Sequence, residues 1–437
     1  MTECNQSELK FPPLKGRKVE ANFRGGDVTS NGGVLLLKQA DQYTGLMQAI
    51  AKVLTDDRRQ ASCEHSLLTM LRQRVYALAL GDEDLNDHDT LRHDLALQTA
   101  VNADSSLASA PTLCRLENRA DQSSAWAMHE VLVEQFIASY DGPPKRLILD
   151  VDATDDAVHG MQEGRFFHGY YDHYCFLPLY VFCGERLLVS YLRKSNIDGA
   201  KHAWAILALL IKRLRQVWPK AEIIVRGDSG FCRWRMLAWF ERNKVGYVVG
   251  IAKNNRLNRL AGNLIQQAEQ QFEDSGDKQR LFTEFNYAAG SWDHSRRIIA
   301  KAEHSSHGSN PRYVVTNLRQ SPRWLYRKLY CARGDMENRI KEQQLNLFAD
   351  RTSCHAWWAN QFRLLLSSLA YCLLETIRRI GLAGTDLAKA QSGTIRLKLL
   401  KIGAIILRNT RRVRFLLSTA YPHQQLFCRV AARLDSS

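Results

Sequence analysis

Apolar residues between positions 64 and 80 recur at helical spacing: Leu67, Leu68, Leu71, Val75, Leu78 and Ala79. That periodicity predicts an amphipathic helix. Ser30-Asn31-Gly32-Gly33 ahead of the apolar run 34–37 predicts another helix start. Residues 111–140 predict a third, opened by Pro111, since proline suits a first helical turn. Residues 1 to about 20 are polar, carry Pro12-Pro13 and read as a loose arm. Asp141-Gly142-Pro143-Pro144 then breaks the helical pattern.

Beyond that break the periodicity changes. Leu147-Ile148-Leu149 runs into Asp150-Val151-Asp152 as a short buried strand. Residues 176–182 and 186–192 predict two more strands around the turn Cys183-Gly184-Glu185. A helix over 199–217 is built on Trp204, Ile206, Leu207, Leu210, Leu214 and Val217. A strand at 222–226, a helix at 233–243 and a strand at 247–251 follow. This order implies a mixed α/β sheet with an antiparallel start. Residues 262–280 read as helix and loop, and 281–318 alternate as strands do. Helices return at 336–348 and 353–380. The last 50 or so residues read as basic and helical, with Arg408, Arg411, Arg412 and Arg414.

Charge adds a partner class. The 437 residues hold 60 Lys and Arg against 45 Asp and Glu, a formal +15. Such an excess favours polyanions, either nucleic acid or an anionic membrane, although a merely basic surface has the same balance. The ten cysteines include no C-x-x-C pair, so no zinc site is expected. The acidic stretch 81–89 reads as a solvated turn with helix starts rather than a metal site. No basic-then-apolar leader opens the chain, and the richest apolar stretch, 362–380, contains Arg363, Glu375 and Arg378. A cytoplasmic protein without a membrane partner is the expectation.

Three acidic residues stand out by place. Asp152 ends a buried strand, Asp228 follows another in Arg226-Gly227-Asp228-Ser229-Gly230, and Glu337 opens a helix. Strand ends in α/β sheets present reactive groups to solvent on a fixed backbone. On the Glu337 helix, Arg333, Glu337, Lys341 and Gln344 share one face. Magnesium takes hard oxygen ligands, and two such ions can activate an attacking oxygen and stabilise a leaving one. An aspartate after a strand is equally a helix cap, and Glu337 could simply pair with Lys341. Spacing alone leaves both readings open.

These residues lie in segments that resemble a family. LILDVDATDDAVHGMQEG (147–164), IIVRGDSGFCRWRMLAWFERNKVGYVVGIAKN (223–254), SWDHSRRIIAKAE (291–303), RYVVTNL (312–318) and YCARGDMENRIKE (330–342) resemble, in order, the insertion-sequence DDE transposases marked by a Tyr-Arg-Glu-Lys signature, and within them the branch numbered thirteen-eighty. GDEDLNDHDTLRHD (81–94) and PTLCRLENR (111–119) resemble that family's amino-terminal region. The likeness implies a bacterial enzyme with a ribonuclease H-like mixed sheet, an inserted β-rich subdomain and flanking helical regions. The segments are then 1–143, helical and DNA-binding; 144–261, the first part of the catalytic domain; 262–322, the β-rich insertion; 323–380, the helices carrying Glu337; and 381–437, a basic helical end.

The resemblance implies Asp152, Asp228 and Glu337 as catalytic ligands of two Mg²⁺ ions, with Mn²⁺ as a substitute. Asp150, two residues back on the same strand face, is a rival for the first position. Tyr330, Arg333 and Lys341 are expected to steady phosphate. The signature lysine falls at position 344, where this chain has Gln344, so Lys341 is the candidate replacement. In the insertion, Trp292 with Arg296 and Arg297 is the candidate for stacking on an extruded base; an ordinary core role fits Trp292 equally. DNA, as terminal inverted repeats and target, is the implied partner, with a homodimer at work. Two other functions remain open on sequence: a ribonuclease H-like nuclease without strand transfer, and an inactive DNA-binding relative.

Overall fold

The computed structural model describes residues 8–435 and separates them into two compact units. The larger comprises Lys52–Thr55 and Glu117–Cys372. It opens with helix α1 (Gln122–Ala138), which Asp121 caps by accepting from the Ser124 amide. Strand β1 (Arg146–Ala153) follows the Pro143-Pro144 break. Two short strands, β2 (Asp156–Ala157) and β3 (Phe166–His168), precede β4 (His173–Phe176), β5 (Leu179–Cys183) and β6 (Arg186–Tyr191). Helix α2 (Ala203–Val217), β7 (Glu222–Gly227), α3 (Trp234–Arg242) and β8 (Gly246–Ile251) come next. Helix α4 (Gly262–Ser275) leads to β9 (Gln279–Tyr287), β10 (Arg296–Ser305) and β11 (Arg312–Thr316). Helices α5 (Gly334–Leu347) and α6 (Trp357–Thr376) complete the series.

One nine-stranded sheet organises this unit, in the order β9-β10-β11-β8-β7-β1-β5-β6, with the two-residue strand Gly308–Ser309 on β10. The central strands β1, β7 and β8 are parallel, and the flanking pairs are antiparallel. Alternation along the strands divides the core into two layers. Leu147, Leu149, Val151, Ile223 and Val225 face α2 and α3 through Leu207, Leu210, Leu214, Leu237 and Phe240. Ile224 and Val248 on the other face meet Leu325, Tyr326 and Leu329.

The β-rich stretch lies between β8 and α5 in the chain, and its strands extend the main sheet: β11 hydrogen-bonds to β8, and Ile298 and Val315 join the same core as Val249. Two expectations need correction. The N-terminal arm is a hairpin, Leu9–Leu14 against Arg17–Ala21, turning at Lys15 and Gly16. Both turn residues have positive φ, the geometry that matches strand twist. The C-terminal region is part strand: Ala404–Arg408 and Val413–Leu417 form a hairpin before the helix Gln424–Asp435. Asn409 closes its turn, its side chain accepting from the Arg411 and Arg412 amides.

The smaller unit comprises residues up to Ala51, Asp56–Leu116 and residues from Leu373 on. Its helix Leu67–Leu80 is capped by Ser66 and ended by Gly81 at φ 99°, as left-handed glycine ends helices. Val28–Thr29 pairs with Ala404–Ile405, bringing early and late chain into one three-stranded sheet. Helix α1 belongs with the larger unit, and residues beyond 373 with the smaller. Among the described residues, no helix is long and apolar enough to cross a membrane.

Candidate active site

The parallel pairing of β1 with β7 sets Asp150 opposite Arg226 and Val151 opposite Gly227. One residue further along come Asp152 and Asp228, at the carboxyl ends of adjacent central strands. Asp228 leaves its strand to cap the single turn Ser229–Phe231, its Oδ1 accepting from the Gly230 amide at 2.8 Å. The cap reading of Asp228 is therefore realised, and it fixes the carboxyl at the strand end. Gly250 on β8 makes room beside it. A Cβ there would stand 2.7 Å from the Tyr330 hydroxyl and 3.1 Å from the Asp228 carbonyl carbon. A bare backbone at position 250 is thus what lets Tyr330 reach the Asp228 region.

Tyr330 ends a wide π-helical turn, Leu325–Tyr330, which runs through Cys331–Arg333 into α5. Such turns shift the side-chain register of a helix. Arg333 reaches back to the sheet: Nη1 donates to Asp152 Oδ2 at 2.9 Å, and Nη2 to Glu337 Oε1 at 2.6 Å. Burial pushes the Asp152 carboxyl up to about 6 against the opposing pull of Arg333, with the charges of Asp228 and Glu337 adding to the rise. Burial alone would lower the Arg333 pKa, but Asp152 and Glu337 outweigh it and the net shift is upward. Burial also raises the Tyr330 phenol, and Asp228 contributes. Asp152, Asp228, Glu337, Tyr330 and Arg333 thus form one electrostatic neighbourhood.

The rival Asp150 is differently engaged. Both of its oxygens accept from Arg226, at 2.6 Å each, and Arg226 also donates to the Leu329 carbonyl at 2.7 Å. The pair is buried, and it joins β1 and β7 to the turn that carries Tyr330. Sequence reading passed over Arg226; its clue was a basic residue inside an otherwise apolar strand.

Gln344, at the signature lysine position, points inward. Its Nε2 donates to the Asp155 carbonyl at 2.9 Å and to Asp156 Oδ1 at 3.1 Å. Asp156 is fully buried, and burial raises its pKa well above the carboxylate range. This side chain ties the helix carrying Glu337 to the segment following Asp152. Lys341, one turn nearer Glu337, is exposed and makes no ion pair with the described residues.

Trp292, Arg296 and Arg297 lie elsewhere. Arg296 and Arg297 begin β10, from which β11 and β8 separate β7. Trp292 packs edge-on against Tyr287, with the Arg296 guanidinium 5.3 Å from its ring centre. Arg296 is held by both oxygens of Glu241 and by Asp293, and Arg297 by Glu284 and the carbonyls of Leu318 and Gln320.

The donor chemistry of Asp152, Asp228 and Glu337 suits a hard divalent ion. The arrangement as it stands does not form a ligand set: among the described residues, no three His, Cys, Asp or Glu side chains are grouped to hold a metal. The Arg333 guanidinium lies between two of the three carboxylates, where it neutralises them.

Acidic side chains thus stand at the carboxyl ends of neighbouring central strands, the place where α/β sheets bind ligands. The sequence profile of the family described as transposase DDE domain group 1 matches residues 11–437, and the chain belongs to that family. None of the curated proteins compared matches it. Among solved structures, it is similar to a cryo-EM structure of a piggyBac transposase synaptic complex with hairpin DNA. The two share 11% identity over 84% of this chain and 78% of that one, with a TM-score of 0.44.

Proposed function

We propose that this chain binds the terminal inverted repeats of an insertion sequence, cleaves DNA there and joins the freed 3′-hydroxyl to target DNA. The observation that carries this reading is the bridging of Asp152 and Glu337 by Arg333, with the charge of Asp228 felt at Asp152, in a chain of the DDE family. The strand order supports a ribonuclease H-like core: an antiparallel meander β1-β5-β6 on one side of β1, with parallel β7 and β8 on the other. Asp152, Asp228 and Glu337 would hold two Mg²⁺ ions, with Mn²⁺ as a substitute. When bound, such ions activate an attacking oxygen and stabilise the leaving one.

The chain's own groups supply the rest. Asp228, fixed by its cap, and Asp152, fixed by β1, set one side of the site. Glu337 sits on a helix that Gln344 holds in place. Arg333 carries a positive charge suited to the phosphate, as does Lys341, and Tyr330 offers a hydroxyl beside Asp228. The exposed Arg411, Arg412 and Arg414 of the C-terminal hairpin suit backbone phosphates of the end repeats, with the steep salt dependence of such contacts. Two ends cut together would call for a homodimer.

The test is a plasmid carrying this gene's own flanking repeats, incubated with purified protein and Mg²⁺. Cleavage at the repeats and joining to a second plasmid are expected. Asp152→Asn, Asp228→Asn and Glu337→Gln should each abolish both while end binding persists. Normal cutting by any of these variants removes that residue from the catalytic set. Cutting without joining would reduce the function to that of a nuclease.

A further inference from the structure

Immediately after Asp152 the chain leaves the main sheet to form a small antiparallel ribbon in the order β2-β4-β3. Its inner side is anchored. Cys175 and Phe176 are buried, Phe176 packs edge-on against Trp357, and Ser195 donates to the Phe166 carbonyl at 2.8 Å. His173 meets the Asp155 carboxylate at 2.9 Å, three residues from Asp152.

The outer side is dense in uncovered rings. Tyr170 is 86% exposed and Phe167 52%, with Tyr174 also open. Phe167 and Tyr174 are cross-strand partners with ring centres 5.7 Å apart, and the Arg165 guanidinium lies 4.5 Å from the Tyr174 ring centre. Tyr170 meets Tyr171 edge-on at 5.0 Å. Exposed aromatic clusters are costly unless something covers them. Tyr171 connects this surface to the segment after Asp152: its ring centre lies 6.1 Å from that of His173, which meets Asp155.

We propose that the outer face of this ribbon (Phe167, Tyr170 and Tyr174, with Arg165 beside them) is a stacking platform for unpaired nucleotides of the DNA strand engaged at Asp152. The inference rests on the DNA-cutting function proposed above. Open π faces hold bases of any sequence, and a neighbouring arginine adds a cationic contact. A duplex offers such rings only base edges, because its base faces are already stacked. The platform therefore selects unpaired nucleotides, and its place beside Asp152 assigns them to the strand being cut. Trp292 is packed edge-on against Tyr287 and is not among the exposed large apolar side chains.

The test uses the full chain without added metal, so cleavage plays no part in the readout. Fluorescence anisotropy compares a labelled oligothymidylate of about 15 nucleotides, near the site size of such grooves, with a duplex of equal length. The double variant Phe167→Ala/Tyr170→Ala should bind the single strand about tenfold or more weakly, as expected for lost stacking. Its duplex affinity should stay close to that of the wild type. Tyr170→Phe, which keeps the ring, should bind normally, and a 2-aminopurine oligonucleotide should be quenched by wild type and not by the double variant. An oligothymidylate affinity that the double variant leaves unchanged, or no single-strand binding by the wild type, overturns the platform. So does a change only in oligomeric state by light scattering, which would assign the face to a second copy. If stacking is observed and plasmid cleavage is not, the cutting function fails while the platform stands.

Discussion

Arg226 grips both carboxylate oxygens of Asp150 at 2.6 Å, which commits this aspartate to a buried ion pair. The buried pair is a structural clamp. Asp150→Ala would leave a guanidinium buried without its counter-ion, a loss of about 3–5 kcal/mol of stability. Urea unfolding should show that loss, and Asp150→Leu/Arg226→Met should recover most of it. An Asp150→Ala protein of normal stability that no longer cuts DNA would instead return Asp150 to the catalytic set.

Arg333 predicts a competition. Its guanidinium neutralises Asp152 and Glu337 in the metal-free protein. Arg333→Ala should therefore bind Mn²⁺ more tightly. A tenfold gain in affinity would add about 1.4 kcal/mol of stabilisation at saturating metal. Thermal melts with and without Mn²⁺ measure it, and an equal or smaller metal-induced shift in Arg333→Ala contradicts the competition. The same variant should lose DNA-cutting rate, because the phosphate loses its cation.

Gln344 acts through position. Removing its hydrogen bonds to Asp155 and Asp156 frees the Glu337 helix from the segment after Asp152. Gln344→Ala should lower kcat about tenfold or more, since misplacement by about 1 Å is costly, and leave KM for DNA nearly unchanged. Gln344→Lys, which still offers a donor to Asp156, should retain most of the rate. A rise in KM with unchanged kcat would make Gln344 a DNA contact instead.

His88 predicts a pH effect in the smaller unit. Burial pushes its imidazole down to about 3, with Arg74 adding to the shift, and Gln73 contacts its Nδ1 at 3.1 Å. The folded state therefore excludes a proton that the unfolded chain accepts below an ordinary histidine pKa of about 6.5. The neutral ring contributes nothing to pH dependence above that value, and stability falls as pH drops from there toward 3. His88→Gln should flatten the fall in a series of urea melts. Parallel wild-type and variant curves would show that other groups cause it.

The periodicity of the chain made the central strands and the helices around them readable. Alternation at 281–318 and the apolar run before Asp152 translate directly into strands. The joining of β11 to β8 was not readable, because either strand could pair elsewhere and only the fold selects the neighbour. The C-terminal hairpin was missed for a different reason. Arg408, Arg411, Arg412 and Arg414 read as a basic helix face, whereas Ile406 packs inward while Ile405 and Leu407 point out, a period of two. At the site, the strand-end acids were legible by place. The roles of Arg226 and Gln344 were not, since each depends on a partner far along the chain.

The pairing of Val28–Thr29 with Ala404–Ile405 has a consequence for biosynthesis. The ribosome must deliver residues 404 and 405 before those two segments can meet, so the smaller unit stays unfinished until then. Abortive products that stop short of residue 404 would leave that module open and exposed to proteolysis.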